Sequence, residues 1–171
     1  SFDRKHLPDP EKHPLTSKSF KVGKVGGKNR KMEVFTIMAS RGCPNSCVFC
    51  SLTAMKVRFR NIDNVLDEIE EKIDVTGIRY VKFIDSSLTI TKSYVGELCE
   101  KIIKRKMGIK WICYSRVDID LEILKLMKKA GLVGIEIALE SGSPRVLKSV
   151  KKRIDIDLFE RICKEAYELG I

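Results

Sequence analysis

Short apolar runs of strand length alternate along this chain with helix-length amphipathic segments, and that alternation leaves few architectures open. VFTIMA (34–39), YVKFI (80–84), IKWICY (109–114) and GIEIAL (134–139) are rich in β-branched and aromatic residues. Between them, Val65, Leu66, Ile69 and Ile73 make one apolar stripe at helical spacing, and Val95, Leu98, Ile102 and Ile103 make a second. Leu121, Leu124, Leu126 and Met127 make a third. The alternation predicts an α/β fold of parallel strands joined by right-handed crossovers. Gly77, Gly108 and Gly131 fall between a helix and the next strand, where a left-handed C-cap is expected. Ser143-Pro144 suits the N-cap and first residue of a helix, and a last amphipathic helix is expected over 157–169. The pattern reads as an interrupted (β/α) barrel whose fourth strand has an unpaired edge, and so as part of a longer polypeptide.

With 171 residues, 43% of them hydrophobic, the chain can bury one sizeable core. Its uncharged stretches fall short of the roughly 20 apolar residues of a membrane span. The N-terminal SFDRKHLPDPEKHP is neither a signal core nor a presequence, which points to the cytoplasm and no membrane partner. Residues 1–32 hold nine Lys and Arg against three Asp and Glu, six of the ten net positive charges, with three of the five prolines and the Gly-rich KVGKVGGKNRK. That composition describes a basic linker or extended arm, with the compact domain over 33–171. A nucleic-acid surface is the alternative reading of the charge, but no aromatic residues are interleaved with the lysines to stack on bases.

Cys43, Cys47 and Cys50 crowd into SRGCPNSCVFCS (40–51), in the loop expected after the first strand, at the end of the sheet where α/β folds place their sites. Cys99, Cys113 and Cys163 stand singly in helix-like or strand-like segments, which is not the pattern of a disulfide scaffold and fits a reducing compartment. The C-x3-C-x2-C spacing can wrap a small inorganic cluster and aim three sulfurs at three metal corners. Zinc fingers and ribbons instead present ligand pairs from separated segments. No second C-x2-C pair occurs, and both histidines, His6 and His13, lie in the arm. Iron–sulfur clusters usually take four thiolates; with three, one iron stays open to water or substrate. Cys113 is the alternative fourth ligand, although a small buried hydrophobe is the simpler reading for it, as for Cys99 and Cys163.

In order along the chain, ASRGCPNSCVFC, VRFRNIDNVLDEIEE, VKFIDSSLTITKSYVGELCEKI, IKWICYSRVDIDLEILKLMKKAGL and IEIALESGSPRVLKSVKK resemble successive stretches of the radical S-adenosylmethionine (SAM) enzymes. The resemblance is to the branch with a cobalamin-binding domain, with the methylthiotransferases as a related group, and covers about residues 34–171. It implies a partial TIM-type barrel, about four βα units of a (β/α)6 core, with a [4Fe-4S] cluster on Cys43, Cys47 and Cys50 whose open iron chelates SAM. Reductive cleavage of SAM would give methionine and a 5′-deoxyadenosyl radical, which the barrel walls shield from solvent.

The same resemblance implies contacts to SAM. Phe49 occupies the aromatic slot near the adenine. Asp85 and Ser87 end the second strand, where the family contacts the SAM amino group; Ser86 replaces the second acid and Leu88 the aromatic of the family's Asp-Asp-x-Phe. Ser115 and Arg116 end the third strand, where the guanidinium would meet the methionyl carboxylate, with an ion pair to Asp118 or Asp120 as the alternative. Glu140 and Ser141 match a stretch that contacts ribose and methionine, with Gly142 allowing close approach and Ala138 standing where glycine is usual.

The family's fifth and sixth strands would follow Ile171, and a cobalamin domain would precede Ser1, joined by a linker like LPDPEKHPL; no Asp-x-His-x-x-Gly motif occurs in the chain. Expected partners are SAM, a small-molecule or other substrate and a reductant such as ferredoxin or flavodoxin, with cobalamin a further cofactor of the longer protein. A cobalamin-dependent methyltransferase is the leading reading. A tRNA-modifying methylthiotransferase, which the basic arm favours, and a non-catalytic zinc-binding module are the two alternatives.

Overall fold

The computed structural model describes residues 19–21 and 31–171. Within the basic arm, Ser19–Lys21 (β1) pairs antiparallel with Lys31–Glu33 (β2). The rest of the arm, including both histidines and the linker-like LPDPEKHPL, lies outside the described residues.

The domain then runs through Phe35–Ile37 (β3), Ser40–Cys43 (β4), Met55–Phe59 (β5), Ile62–Thr76 (α1), Tyr80–Phe83 (β6) and Lys92–Lys104 (α2). It continues through Lys110–Ser115 (β7), Leu121–Lys129 (α3), Leu132–Ile137 (β8), Pro144–Ser149 (α4) and Ile156–Glu168 (α5). Strands β3, β6, β7 and β8 form a parallel sheet in chain order, the start of a (β/α) barrel, and β4 and β5 form a separate antiparallel hairpin.

Local chemistry sets the helix ends. Asn61 caps α1 by accepting from Asn64 N at 3.2 Å, and Asp120 caps α3 by accepting from Glu122 N at 2.9 Å and Ile123 N at 3.2 Å. Between the caps, Val65, Leu66 and Ile69 of α1, Val95 and Leu98 of α2, and Leu124 and Met127 of α3 are fully buried. The strand pleat sends Val81, Phe83, Trp111 and Cys113 into this helix-covered core. Thr36, Lys82, Ile112, Tyr114 and Glu136 lie on the opposite face, which is the lumen side of a barrel. Trp111 anchors the core: its indole packs edge-to-face with Phe83, with centroids 5.4 Å apart, and Nε1 donates to Ala130 O at 2.9 Å.

The fourth strand begins at Leu132, two residues before the sequence expectation, because Gly131 makes the turn. Its φ is +101°, and a Cβ there would overlap the Ile109 carbonyl oxygen. The last helix lies one residue earlier than expected at each end. Across the outer surface Arg105 joins α2 to α1 through Asp63 at 2.8 Å, Asp67 at 2.6 Å and Glu70 at 2.9 Å. Among the described residues no helix is long and apolar enough to cross a membrane.

Candidate functional site

The hairpin β4–β5 was not expected. Cys43 closes strand β4, whereas the sequence places it in a loop; Cys47 and Cys50 lie in the connection to β5. Strand β5 escapes the apolar-run criterion because Met55, Lys56 and Arg58 are exposed and only Val57 and Phe59 are partly covered. Gly42 makes the bulge between Arg41 and Cys43 possible: its φ is +106°, and a Cβ would run into the Lys56 carbonyl oxygen.

Buried polar side chains fix where the hairpin leaves the sheet. Asp85, 1% exposed at the end of β6, accepts from Ala39 N at 3.1 Å and from Ser40 through both its N–H and its Oγ. Burial pushes the Asp85 carboxyl above the usual range, and the donors from Ser40 and Ala39 oppose that shift. Arg60, also buried, donates Nη1 to Met38 O at 3.0 Å and Nη2 to Glu68 at 2.6 Å. The Tyr94 hydroxyl reaches Ala39 O at 3.1 Å and Arg60 O at 3.0 Å, and burial pushes its pKa up. The connection itself is a run of tight turns closed by Cys50 N to Cys47 O at 3.2 Å and Ala54 N to Asn45 O at 2.7 Å. Its far side is tied to the segment after α4 by Val48 N donating to Val150 O at 3.1 Å.

All three thiols of this hairpin are free, with Cys43 and Cys50 partly exposed. Two of them accept hydrogen bonds: Asn45 Nδ2 donates to Cys43 Sγ and Leu52 N donates to Cys50 Sγ, each at 3.4 Å. Among the described residues no group of three Cys, His, Asp or Glu is gathered as it would be around a single metal ion. A cluster asks for something else, one thiolate at each of three irons, and the soft three-sulfur donor set on one hairpin fits that group. Cys99 on α2 and Cys113 on β7 are fully buried in the core, where burial pushes the Cys99 thiol up to about 12 and Cys113 higher still; Cys163 on α5 is exposed.

The other residues singled out in the sequence divide into two groups. Asp85, Ser87 and Ser115 are buried. Ser115 Oγ bonds Thr89 Oγ1 at 2.6 Å and donates to Arg116 O at 2.8 Å, and Ser87 Oγ lies 3.4 Å from Thr89 Oγ1. Phe49 and Glu140 are exposed, and Arg116 and Ser141 are partly buried. Arg116 donates to Arg153 O at 2.9 Å and lies 3.4 Å from Asp118, the ion pair named as its alternative. Glu140 holds a left-handed φ of +69° just after β8 and accepts from Lys152 Nζ at 2.7 Å, while Ser141 Oγ accepts from Ser143 N at 3.1 Å. Lys152 also stands over the Phe49 ring at 5.8 Å, so one lysine joins two residues expected on one cofactor. Sequence reasoning missed Lys152, Ser40, Arg60 and Tyr94. The period-two alternation of MKVRF was the available signal for the hairpin, and a lone Arg or Tyr carries none.

A parallel sheet with a three-cysteine hairpin at the carboxyl end of its first strand defines a class, and comparison with known proteins agrees. The radical SAM superfamily model matches residues 37–171, and the chain belongs to that superfamily, whose cofactors are a [4Fe-4S] cluster and SAM. An uncharacterised methyltransferase of Pyrococcus horikoshii is 31% identical over 79% of this chain and 30% of its own length. The anaerobic magnesium-protoporphyrin IX monomethyl ester cyclase of Rubrivivax gelatinosus is 33% identical over 77% of this chain and 25% of its own length. The solved radical SAM methyltransferase TsrM of Kitasatospora setae, with cobalamin and a [4Fe-4S] cluster bound, superposes with a TM-score of 0.73 over 82% of this chain and 30% of that chain, at 19% identity. The fold is thus shared with a solved radical SAM enzyme, and the chain spans under a third of the length of these relatives.

Proposed function

We propose that this domain generates radicals from SAM at a [4Fe-4S] cluster held by Cys43, Cys47 and Cys50, within a longer cobalamin-dependent protein. The observation that carries the reading is the hairpin itself: three free thiols, two of them receiving N–H donors, mounted on a buried clamp at the end of β3. Cluster and SAM together supply reductive cleavage of the carbon–sulfur bond of SAM. The chain's own contribution is placement. Asp85, Arg60 and Tyr94 orient the hairpin, and Ser87 and Ser115 brace the neighbouring strand ends. Phe49, Arg116, Glu140 and Ser141 line the side on which SAM would lie, so releasing Glu140 from Lys152 would free a carboxylate for ribose hydroxyls.

A methyltransferase and a cyclase among the relatives support a domain that serves more than one reaction, with the substrate chosen elsewhere in the protein. Residues 1–32 would serve as the linker, and a reduced electron carrier as the partner. Anaerobic reconstitution with iron and sulfide, followed by electron paramagnetic resonance, tests the reading. A cubane signal that changes on adding SAM is expected, and a chain that takes up zinc but forms no cluster would overturn it.

A further inference from the structure

The lumen positions of a (β/α) barrel are usually filled by Val, Ile and Leu packed in layers. In this sheet they are largely polar: Thr36 on β3, Lys82 on β6, Tyr114 on β7 and Glu136 on β8 share that face with Ile112. Three of them are joined. Lys82 reaches across β7 to donate from Nζ to Glu136 Oε1 at 2.6 Å, and the same Nζ stands over the Tyr114 ring, 4.7 Å from its centroid. The way is clear because β8 presents Gly134, with no side chain, in the row of Lys82 and Ile112; a Cβ there would lie 3.0 Å from Ile112 Cγ2. The Lys82 side chain is 15% exposed and that of Glu136 47%, so an incoming molecule meets the carboxylate first and the ammonium behind it. An ion pair so placed adds little to stability, since its charges lose water and its long side chains lose rotamer freedom, and apolar residues would fill the space as well.

We propose that Lys82, Glu136 and Tyr114 are the substrate-anchoring site of this domain, and that they take a group bearing both an ammonium and a carboxylate, as the head of an amino acid does. The proposal rests on the radical chemistry proposed above, and names the class of molecule that chemistry acts on. The pair has no net charge, so a lone anion drawn to Lys82 also meets Glu136, and a lone cation drawn to Glu136 also meets Lys82. A ligand with both charges lets each residue exchange one partner for another: Lys82 takes the carboxylate, Glu136 takes the ammonium, and no charge is left unpaired. The Tyr114 hydroxyl supplies a further donor, and its ring face a surface for the ammonium. The strand register puts Tyr114 and Glu136 one row beneath Ser115 and Ile137, and Ser115 is among the residues expected near SAM. A molecule anchored here lies directly under the cofactor side, within reach of a radical made there.

The test uses the whole chain without its cluster, where no iron is present to chelate an amino acid, with isotope-labelled tyrosine rings read by NMR. The Tyr114 signal is identified by its loss in Tyr114→Phe. L-Leucine should shift that signal saturably. Its methyl ester, which keeps only the ammonium, and N-acetyl-L-leucine, which keeps only the carboxylate, should bind at least about tenfold more weakly. Lys82→Met and Glu136→Gln should each weaken leucine binding about tenfold, and the exchanged pair Lys82→Glu with Glu136→Lys, which keeps both charges, should recover most of the loss. SAM binding to the reconstituted protein should be unchanged in the same variants. Equal shifts by the three ligands, or no shift by leucine, overturn the anchoring site. So do single variants that lower the unfolding midpoint but leave leucine binding as it was, which would make the pair a strut between β6 and β8. Variants that weaken SAM as much as leucine overturn it too, because the groups would then belong to the cofactor. Absence of any SAM-sensitive cluster would instead overturn the function proposed above, with the leucine titration still deciding this site.

Discussion

Trp111 and Phe49 mark the two ways this molecule holds a side chain in place. Trp111 is fully buried, packed edge-to-face with Phe83 and with its nitrogen on Ala130 O. Phe49 is more than half exposed beside Lys152. Around Trp111 the helix-covered face of the sheet is stabilised by apolar area removed from water. Around Phe49 the cysteine loop buries little, and its position comes from main-chain turns and from the polar clamp of Asp85, Arg60 and Tyr94 at its root. Core and loop therefore draw on separate sources of stability, and substitutions should be able to remove one while leaving the other.

Trp111→Ala should have the largest effect on folding, about 3–5 kcal/mol in denaturant unfolding, while iron bound per folded molecule stays near wild type. Loss of iron without loss of stability would break the distinction. Asp85→Asn should cost about 2–3 kcal/mol, because an amide NH2 would face the donors of Ala39 and Ser40, and it should lower both stability and cluster loading. Tyr94→Phe removes the donor to Ala39 O and Arg60 O and should cost about 1 kcal/mol.

Acid titration sharpens the contrast through sign. The Asp85 carboxyl is raised, so the folded state binds its proton more tightly than the unfolded chain does. Its contribution to stability is fullest below the ordinary aspartate value of about 3.9 and is lost as pH rises through the higher folded value. Asp63 on the outer surface is held low by Lys101 and then Arg105, so its contribution is present above that ordinary value and fades as pH falls toward the lower folded one. Arg105→Ala should have a small effect that disappears in molar salt, as expected of an exposed ion-pair network. Cys50→Ala should barely move the unfolding midpoint yet reduce cluster iron by at least the share that depends on that thiolate. A large stability loss there would mean that the loop is part of the core after all.

The same division explains what could be read from sequence. Helices α1, α2 and α3 were legible because Val65, Leu66 and Ile69, Val95 and Leu98, and Leu124 and Met127 repeat at the spacing that burial imposes. The four strands were legible from their β-branched runs. The hairpin left only a faint trace, the alternation of exposed Lys56 and Arg58 with Val57 and Phe59, and its partner strand supplies Gly42 and Cys43 rather than an apolar run. The clamp left none. Asp85 reads as a strand-end acid facing a ligand, yet in the fold its carboxylate is taken up by Ala39 and Ser40, more than forty positions away in sequence. Arg116 was legible as a choice between two partners, and its guanidinium lies near Asp118.

The tie between Val48 and Val150 is made of peptide atoms alone. Side-chain replacement at either position leaves the donor and the acceptor in place, so the joint is indifferent to nearly every residue a genome could put there. Proline at 48 is the exception, since it removes the N–H. A cross-brace of this kind leaves no motif behind it, and a designer who transplanted the three cysteines with their spacing, but not the peptide bond that props them from across the fold, would copy the letters of the site without its geometry.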